Sequence, residues 1–463
     1  MGRTAGPDTS LETRGMIQLH NYYCNKYKLI MNNSEELISF KTKQRLEELL
    51  QDLGVHTFEI KVTAGTTNGE NFLGIIAKVK VTGKDIQGDD VIRNFVIKSA
   101  PLNKMIRSIL PINIAYQREA YMYNVVLPEF NRLQTEKNIL KPFMSFAKHY
   151  KSFLYDQEEA IILEDMQSHG FYSVINQKES INYEHAVFIL KEYGKFHALS
   201  FAMRLHKPDL FEEIAKNTQE RYFQNFKKNF RDENYKNYSL KAFASLDCVK
   251  DKELYDRYSK FHDRIDKIAV QMTDSDFTNS YNVVRHGDCW IKNFLFKYQN
   301  DEYCVTPKEI CFLDWQMACF GSPALDLSYF IFSNTDKNLR DKYYDKLLEE
   351  YHDSFRSFLK EFGGDADKQF SFDMLKAQMK KYGIYGLIWS TIILFVCTNN
   401  SDDIPNIELS SNPDDIFSMQ SSDLNHLQRY QSRIRDVITD LIYLGLSNKC
   451  KVSDGPFEKT CHT

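Results

Sequence analysis

The sequence carries no excess of positive charge. Lys and Arg number 59 against 63 Asp and Glu, the formal charge is −4, and no block of like charge occurs. That excludes the basic field or stripe with which proteins hold nucleic acid. Also missing is any Cys-x-x-Cys pair: the nine cysteines include Cys289, Cys304, Cys311 and Cys319, whose spacings match no zinc pattern. Reduced thiols in a cytoplasmic protein are the expectation. The first residues hold charges, Gly, Pro and Ser/Thr, but not the apolar core of a secretory signal. "MGRTAG" departs from the myristoylation pattern at Gly6, and "TCHT" puts its cysteine out of place for prenylation. Long hydrophobic runs are lacking too. The one suspect, Tyr382 to Cys397, has 16 residues and is diluted by two glycines, whereas a spanning helix needs about 20. A buried helix and no membrane span are expected there. No internal repeat is found.

What is present in quantity is rings, 33 Phe and 27 Tyr, in a chain otherwise of ordinary soluble composition with 43% hydrophobic and 26% charged residues. At 463 residues the chain exceeds one compact core, so two lobes are expected. Residues 1–33 read as a flexible tail, 34–165 as a first lobe, 166–448 as a second, and 449–463 as a tail. "SEELISFKTKQRLEELLQDL" predicts a helix capped by Ser34, with Glu35 and Glu36 in its first turn. "HTFEIKVTAG", "NFLGIIAKVKVT" and "VIRNFVIKSA" then alternate apolar with polar residues, the pattern of a three-strand antiparallel meander. "NIAYQREAYMYNVVLPEF" returns to helical spacing and is expected to end before Pro128. Two more strands follow in "SFAKHYKSFLY" and "EEAIILEDM". From Asn182 the pattern is mostly helical, with Val187, Leu190, Gly194, His197 and Phe201 on one face. His197 there reads as a core histidine. Only "VRHGDCWIKNFLF" and "EICFLDWQM" interrupt, as strand-like pieces joined by a polar turn at Asn300 and Asp301. A surface loop, "NNSDDIPNIELSSNPDD", follows the apolar helix.

The chemistry concentrates in those interruptions. Asp288 and Asn293 sit on a polar turn between apolar runs, and Asp314 follows in "FLDWQ" on the next strand-like piece. Two carboxylates and an amide make an all-oxygen set suited to Mg²⁺, a hard cation that keeps waters when it bridges phosphates. Lys98 ends the apolar strand "FVIK", where a buried ammonium needs a partner carboxylate and a phosphate; Glu119 on the following helix is the candidate partner. A strand lysine, a helix glutamate, a base and two metal ligands, in this order, are the parts of phosphoryl transfer.

"HGDCWIKN", then "LDWQ" and "GSPALDLSYF", with "LEDM" upstream, resembles the ecdysteroid kinase-like family, relatives of choline kinases and aminoglycoside phosphotransferases. The likeness runs from about Gly65 to Val396. It implies an α+β, bilobal protein-kinase-like fold with a small antiparallel-sheet lobe and a large helical lobe, and it implies ATP and Mg²⁺ as cofactors. By the resemblance Asp288 is the catalytic base and Asn293 and Asp314 are the Mg²⁺ ligands. Lys98 contacts phosphate with Glu119 as its partner, and Glu164, Asp165 and Met166 form the hinge that meets adenine. No Gly-x-Gly-x-x-Gly is present, so the phosphate loop is expected in "AGTTNGENF", with Gly65, Gly69 and Asn71; a plain hairpin turn reads equally well. Trp315 stands where the family often has Phe, and Gly74 where a small hydroxyl residue is expected. His286 is read as fixing the turn, and Asp326 as the buried aspartate that braces it.

Only 12 positions separate Asp314 from Asp326, too few for the segment with which protein kinases hold a peptide, and Trp290 stands where they place a lysine. The acceptor is therefore a small hydroxylated molecule, with no obligate protein partner evident. Phe211, Tyr222, Phe223, Phe226, Phe230, Tyr235 and Tyr238 offer ring-rich walls suited to an apolar alcohol, an ecdysteroid or a conjugated foreign compound, although the same rings also suit a core. A choline or ethanolamine kinase, or a catalytically inactive nucleotide-binding fold, remain as alternatives.

Overall fold

The computed structural model describes residues 37–65, 74–174, 180–225, 228–273, 279–299, 306–399 and 423–443, apart from the side chains of 222–223, 228–231 and 443. The chain divides into two compact units: the described residues of Met1–Ala100 with Tyr150–Asp165, and those of Pro101–His149 with Met166–Thr463.

In the first unit the alternating segments form an antiparallel meander, β1 (Val55–Ala64), β2 (Ile75–Asp85) and β3 (Asp90–Ser99), completed by β4 (His149–Phe153) and β5 (Ala160–Glu164) in the order β1-β2-β3-β5-β4. Helix α1 (Phe40–Asp52) lays Leu46, Leu49 and Leu50 on Val79, Val81, Phe95 and Ile97. Its N-cap is Ser39, whose hydroxyl accepts from the Thr42 N–H at 3.1 Å. The helix therefore starts later than expected, and Ser34, Glu35 and Glu36 lie outside the described residues.

The second unit is mostly helical. Helix α2 (Ile112–Tyr121) passes through a π-turn, Met122–Val126, into α3 (Leu127–Glu136). It does not stop before Pro128. The wider turn resets the hydrogen-bond ladder, so the proline falls at the start of the next helical segment, where its missing N–H costs least. These helices group with the second unit, although sequence reading assigned them to the first lobe.

Downstream come α4 (Tyr183–His206), β6 (Val283–Arg285), β7 (Phe294–Tyr298), β8 (Pro307–Phe312) and β9 (Cys319–Gly321). They are followed by α5 (Pro323–Asn334), α6 (Lys337–Glu361), α7 (Ile384–Thr398) and α8 (Leu424–Tyr443). Strand β9, absent from the sequence reading, pairs with β6, while β7 pairs with β8; Asn300 and Asp301 lie outside the described residues. Tyr193, Phe196, Phe294, Phe312 and Trp315 interlock beneath these strands, with centroids such as Tyr193 and Phe312 at 5.0 Å and Phe196 and Trp315 at 5.2 Å. Helix α7 is buried within this unit along nearly all its length. No single helix among the described residues is long and apolar enough to cross a membrane. The α+β organisation is the one the resemblance implies.

Candidate active site

Strand β6 ends at Arg285, and the chain turns through Gly287 at φ +85°. That left-handed backbone suits glycine, and an added Cβ would also overlap the Met317 carbonyl oxygen. His286 holds the turn from both ring nitrogens: Nδ1 accepts from the Asp288 N–H at 3.3 Å and Nε2 donates to the Leu313 carbonyl at 2.9 Å. Burial lowers its pKa, which keeps the ring neutral in this tautomer. The Asp288 carboxylate is 8% exposed and anchored at both oxygens. Asn293 Nδ2 donates to Oδ2 at 2.8 Å and to the Asp288 carbonyl at 3.0 Å, and the Tyr329 hydroxyl donates to Oδ1 at 3.0 Å.

Beneath the turn lies Asp326, fully buried in the first turn of α5. Its carboxylate accepts from the backbone N–H groups of His286 and Gly287 at 2.7 and 3.2 Å, and from Arg285 Nη1 at 3.2 Å. His197 Nε2 stands at 3.4 Å, while its Nδ1 meets the Tyr351 hydroxyl at 3.0 Å, so this histidine is buried and partnered. Burial alone would raise the pKa of Asp326, but His197 and the Arg285 guanidinium outweigh it and hold the carboxyl at about 2.

Asp314 reaches the same turn along the backbone. Leu313 donates its N–H to the Asn293 carbonyl at 2.9 Å and its own carbonyl receives His286, so the residue after it is held beside the Asp288–Asn293 pair. Asp314 adopts φ 62°, ψ 72°, a left-handed conformation that a non-glycine residue keeps only when its surroundings impose it. Part of the imposition comes from Trp315, which is fully buried against His286 at 4.7 Å and against Phe196.

Other expected residues are distributed between the units. Lys98, 4% exposed, lies on β3 with Ile76 and Ile161 as its register neighbours. Glu164 closes β5 opposite Phe95, and the Asp165 N–H bonds to the Asn94 carbonyl at 3.1 Å. Gly65 bonds through its N–H to the Ile76 carbonyl at 2.8 Å, and a Cβ there would meet the Ile76 side chain at 2.5 Å. Gly69 and Asn71 lie outside the described residues. Glu119, 1% exposed on α2, and Met166, which opens a 3₁₀ turn, belong to the second unit.

A family model described as the ecdysteroid kinase-like family matches residues 68–364. The chain belongs to this family. Membership implies a small-molecule, kinase-like phosphotransferase, from a family whose kinase-like chemistry generally uses ATP and Mg²⁺. The match spans the Asp288 turn, Asp314 and Asp326 but stops before α7. No curated protein matches the chain.

Sequence reasoning missed several residues packed around this turn. Tyr329 meets Asp288 through its hydroxyl, and Trp389 lies parallel on Tyr329 at 4.7 Å and 1°. Asn334 Nδ2 donates to the Cys289 carbonyl at 2.9 Å, and Arg285 joins Asp326 below. Tyr329 was detectable, since it lies three residues beyond Asp326 on one helix. Of the rings expected to form acceptor walls, Phe211 packs against Phe320, and Tyr235 and Tyr238 are core residues, Tyr238 meeting Phe395. Phe226 and the side chains of Tyr222, Phe223 and Phe230 lie outside the described residues.

Proposed function

We propose that the protein is an ATP-dependent kinase that transfers the γ-phosphate to a hydroxyl of an apolar alcohol, ecdysteroid-like or a conjugated foreign compound. The observation that carries this reading is the Asp288 carboxylate held at 2.8 Å by Asn293, on a turn stitched through Leu313 to Asp314. Asp288 takes the proton of the acceptor hydroxyl as its oxygen bonds to the γ-phosphorus and the bond to the β–γ bridging oxygen breaks, releasing ADP. Lys98 binds nucleotide phosphate, and Glu164 and Met166 meet the base.

The donor set fits Mg²⁺. Because Asn293 commits its amide nitrogen to Asp288, its oxygen is the atom left to offer a hard cation, and half-buried Asp314 supplies a carboxylate. Among the described residues no group of three or more His, Cys, Asp or Glu could hold a metal. A site of two protein oxygens completed by water and phosphate is the kind Mg²⁺ takes. When bound, the ion neutralises charge on the phosphates.

The apolar acceptor is supported by the family match and by the ring-rich surroundings of Asp288, where Tyr329 donates to the carboxylate and Trp389 stacks on Tyr329. Burying about 200 Å² of an apolar acceptor would contribute about 5 kcal/mol before ordering costs. The test offers ecdysteroids, choline, aminoglycosides and glucosides in parallel with Mg·ATP and identifies products by mass. Phosphorylated ecdysteroid or another apolar alcohol is expected. Transfer to choline or an aminoglycoside, and to no apolar alcohol, would overturn the acceptor and leave the kinase standing.

A further inference from the structure

A general base is useful only if its lone pair points at the proton it must take. The torsion that orients an aspartate carboxylate is broad, so one anchored oxygen leaves the plane free to swing. Asp288 has two anchors on different oxygens, Asn293 on Oδ2 at 2.8 Å and the Tyr329 hydroxyl on Oδ1 at 3.0 Å.

We propose that Tyr329 is a positioning residue of the transfer: its hydroxyl fixes Oδ1 of Asp288 so that, with Asn293 on Oδ2, the carboxylate meets the acceptor in one orientation. The proposal rests on the reading of Asp288 as the base.

The surroundings of Tyr329 are built for this task. Its ring is fully buried and lies parallel on Trp389, which Tyr385 meets edge-on at 6.1 Å. The ring therefore has no room to withdraw its hydroxyl. Burial, reinforced by the Asp288 charge, holds the phenol well above its usual pKa, so it remains a donor. Tyr329 also shares α5 with Asp326, which grips the backbone N–H groups of His286 and Gly287, and with Asn334, which grips the Cys289 carbonyl. One helix thus sets both the path of the turn and the plane of its carboxylate. Packing alone would be served equally by phenylalanine.

The test is Tyr329→Phe, which keeps the ring and its stack and removes one hydroxyl. It is measured with Mg·ATP and ecdysone as acceptor, and in parallel with water as acceptor by ATP hydrolysis. We expect kcat to fall about 10- to 100-fold, the scale of misplacing a reacting group, while the Kd for Mg·ATP and the acceptor KM stay unchanged and the thermal midpoint falls only by the loss of one buried hydrogen bond. A double-mutant cycle shows whether the effect passes through the base: in the Asp288→Asn background, Tyr329→Phe should change the residual rate by less than about twofold. An undiminished kcat, or an equal loss in both backgrounds, overturns the positioning role and leaves Asp288 as the base. Full turnover in Asp288→Asn alone, or none in the unmutated protein with either acceptor, overturns the underlying reading and the proposal with it.

Discussion

At the scale of the residue, the candidate site depends on a few side chains held in surroundings that most polar groups would avoid. Asp326 is the clearest case: a fully buried carboxylate that satisfies two backbone N–H groups and Arg285 at once. Breaking a buried pair strands the remaining charge, so Asp326→Asn should lower unfolding free energy by about 3–5 kcal/mol at neutral pH, as read by denaturant titration. The pH dependence has a definite sign. The carboxyl is held at about 2 in the folded protein, below its unfolded value, so its stabilisation is complete above roughly pH 4 and is lost as pH falls through about 2. The difference between wild type and Asp326→Asn should shrink over that window, and a constant difference down to pH 2 would refute this account.

Elements supply the stiffness behind those residues. Helices α5 and α7 approach so closely at Gly386 that a Cβ there would stand 2.5 Å from the Ser328 carbonyl oxygen and 2.7 Å from the Phe332 ring. The first of these is backbone and cannot step aside. Gly386→Ala should therefore push α7 away from α5, at about 1–3 kcal/mol of stability, and loosen the stack of Trp389 on Tyr329. Thermal unfolding and steady-state kinetics check this: a lower midpoint and a reduced kcat at unchanged Mg·ATP affinity are expected, and an unaltered midpoint would show that the helices can part freely. The apolar run that resembles a membrane segment by composition thus packs against the helix that carries Asp326 and Tyr329.

For the whole molecule, each unit carries residues whose proposed roles can be tested separately. Lys98 stands on the sheet, and Asp314 and Asn293 on the helical unit's loops. Their variants should be separable by calorimetric titration with ATP in the presence and absence of Mg²⁺. Asp314→Asn should lose the Mg²⁺-dependent part of the affinity, because a neutral amide is a poorer ligand for a hard dication. Lys98→Ala should weaken binding in both conditions by about 10-fold or more, the scale of one charge-assisted hydrogen bond. Absence of any binding by the unmutated protein would point to a fold that has lost its cofactor.

The meander, the helical character of the second unit and the Asp288–Asn293–Asp314 set were legible in the sequence. Alternation and helical spacing are local patterns, and the motif residues lie close together in the chain. The same locality explains what was not legible. Whether the helix through Pro128 breaks or continues depends on a π-turn, and which unit it joins depends on packing. That Asp314 and Gly287 take left-handed backbone is set where the turn packs, with Trp315 buried against His286 and Met317 close upon Gly287. The grip of Tyr329 on Asp288 and of Trp389 on Tyr329 joins residues 41 and 60 positions apart, contacts that no periodicity records. Sequence by itself determined which chemical groups the protein owns and on which kinds of element they ride. The tertiary structure decided which of them touch, because burial, not spacing, sets the partners of a buried polar group.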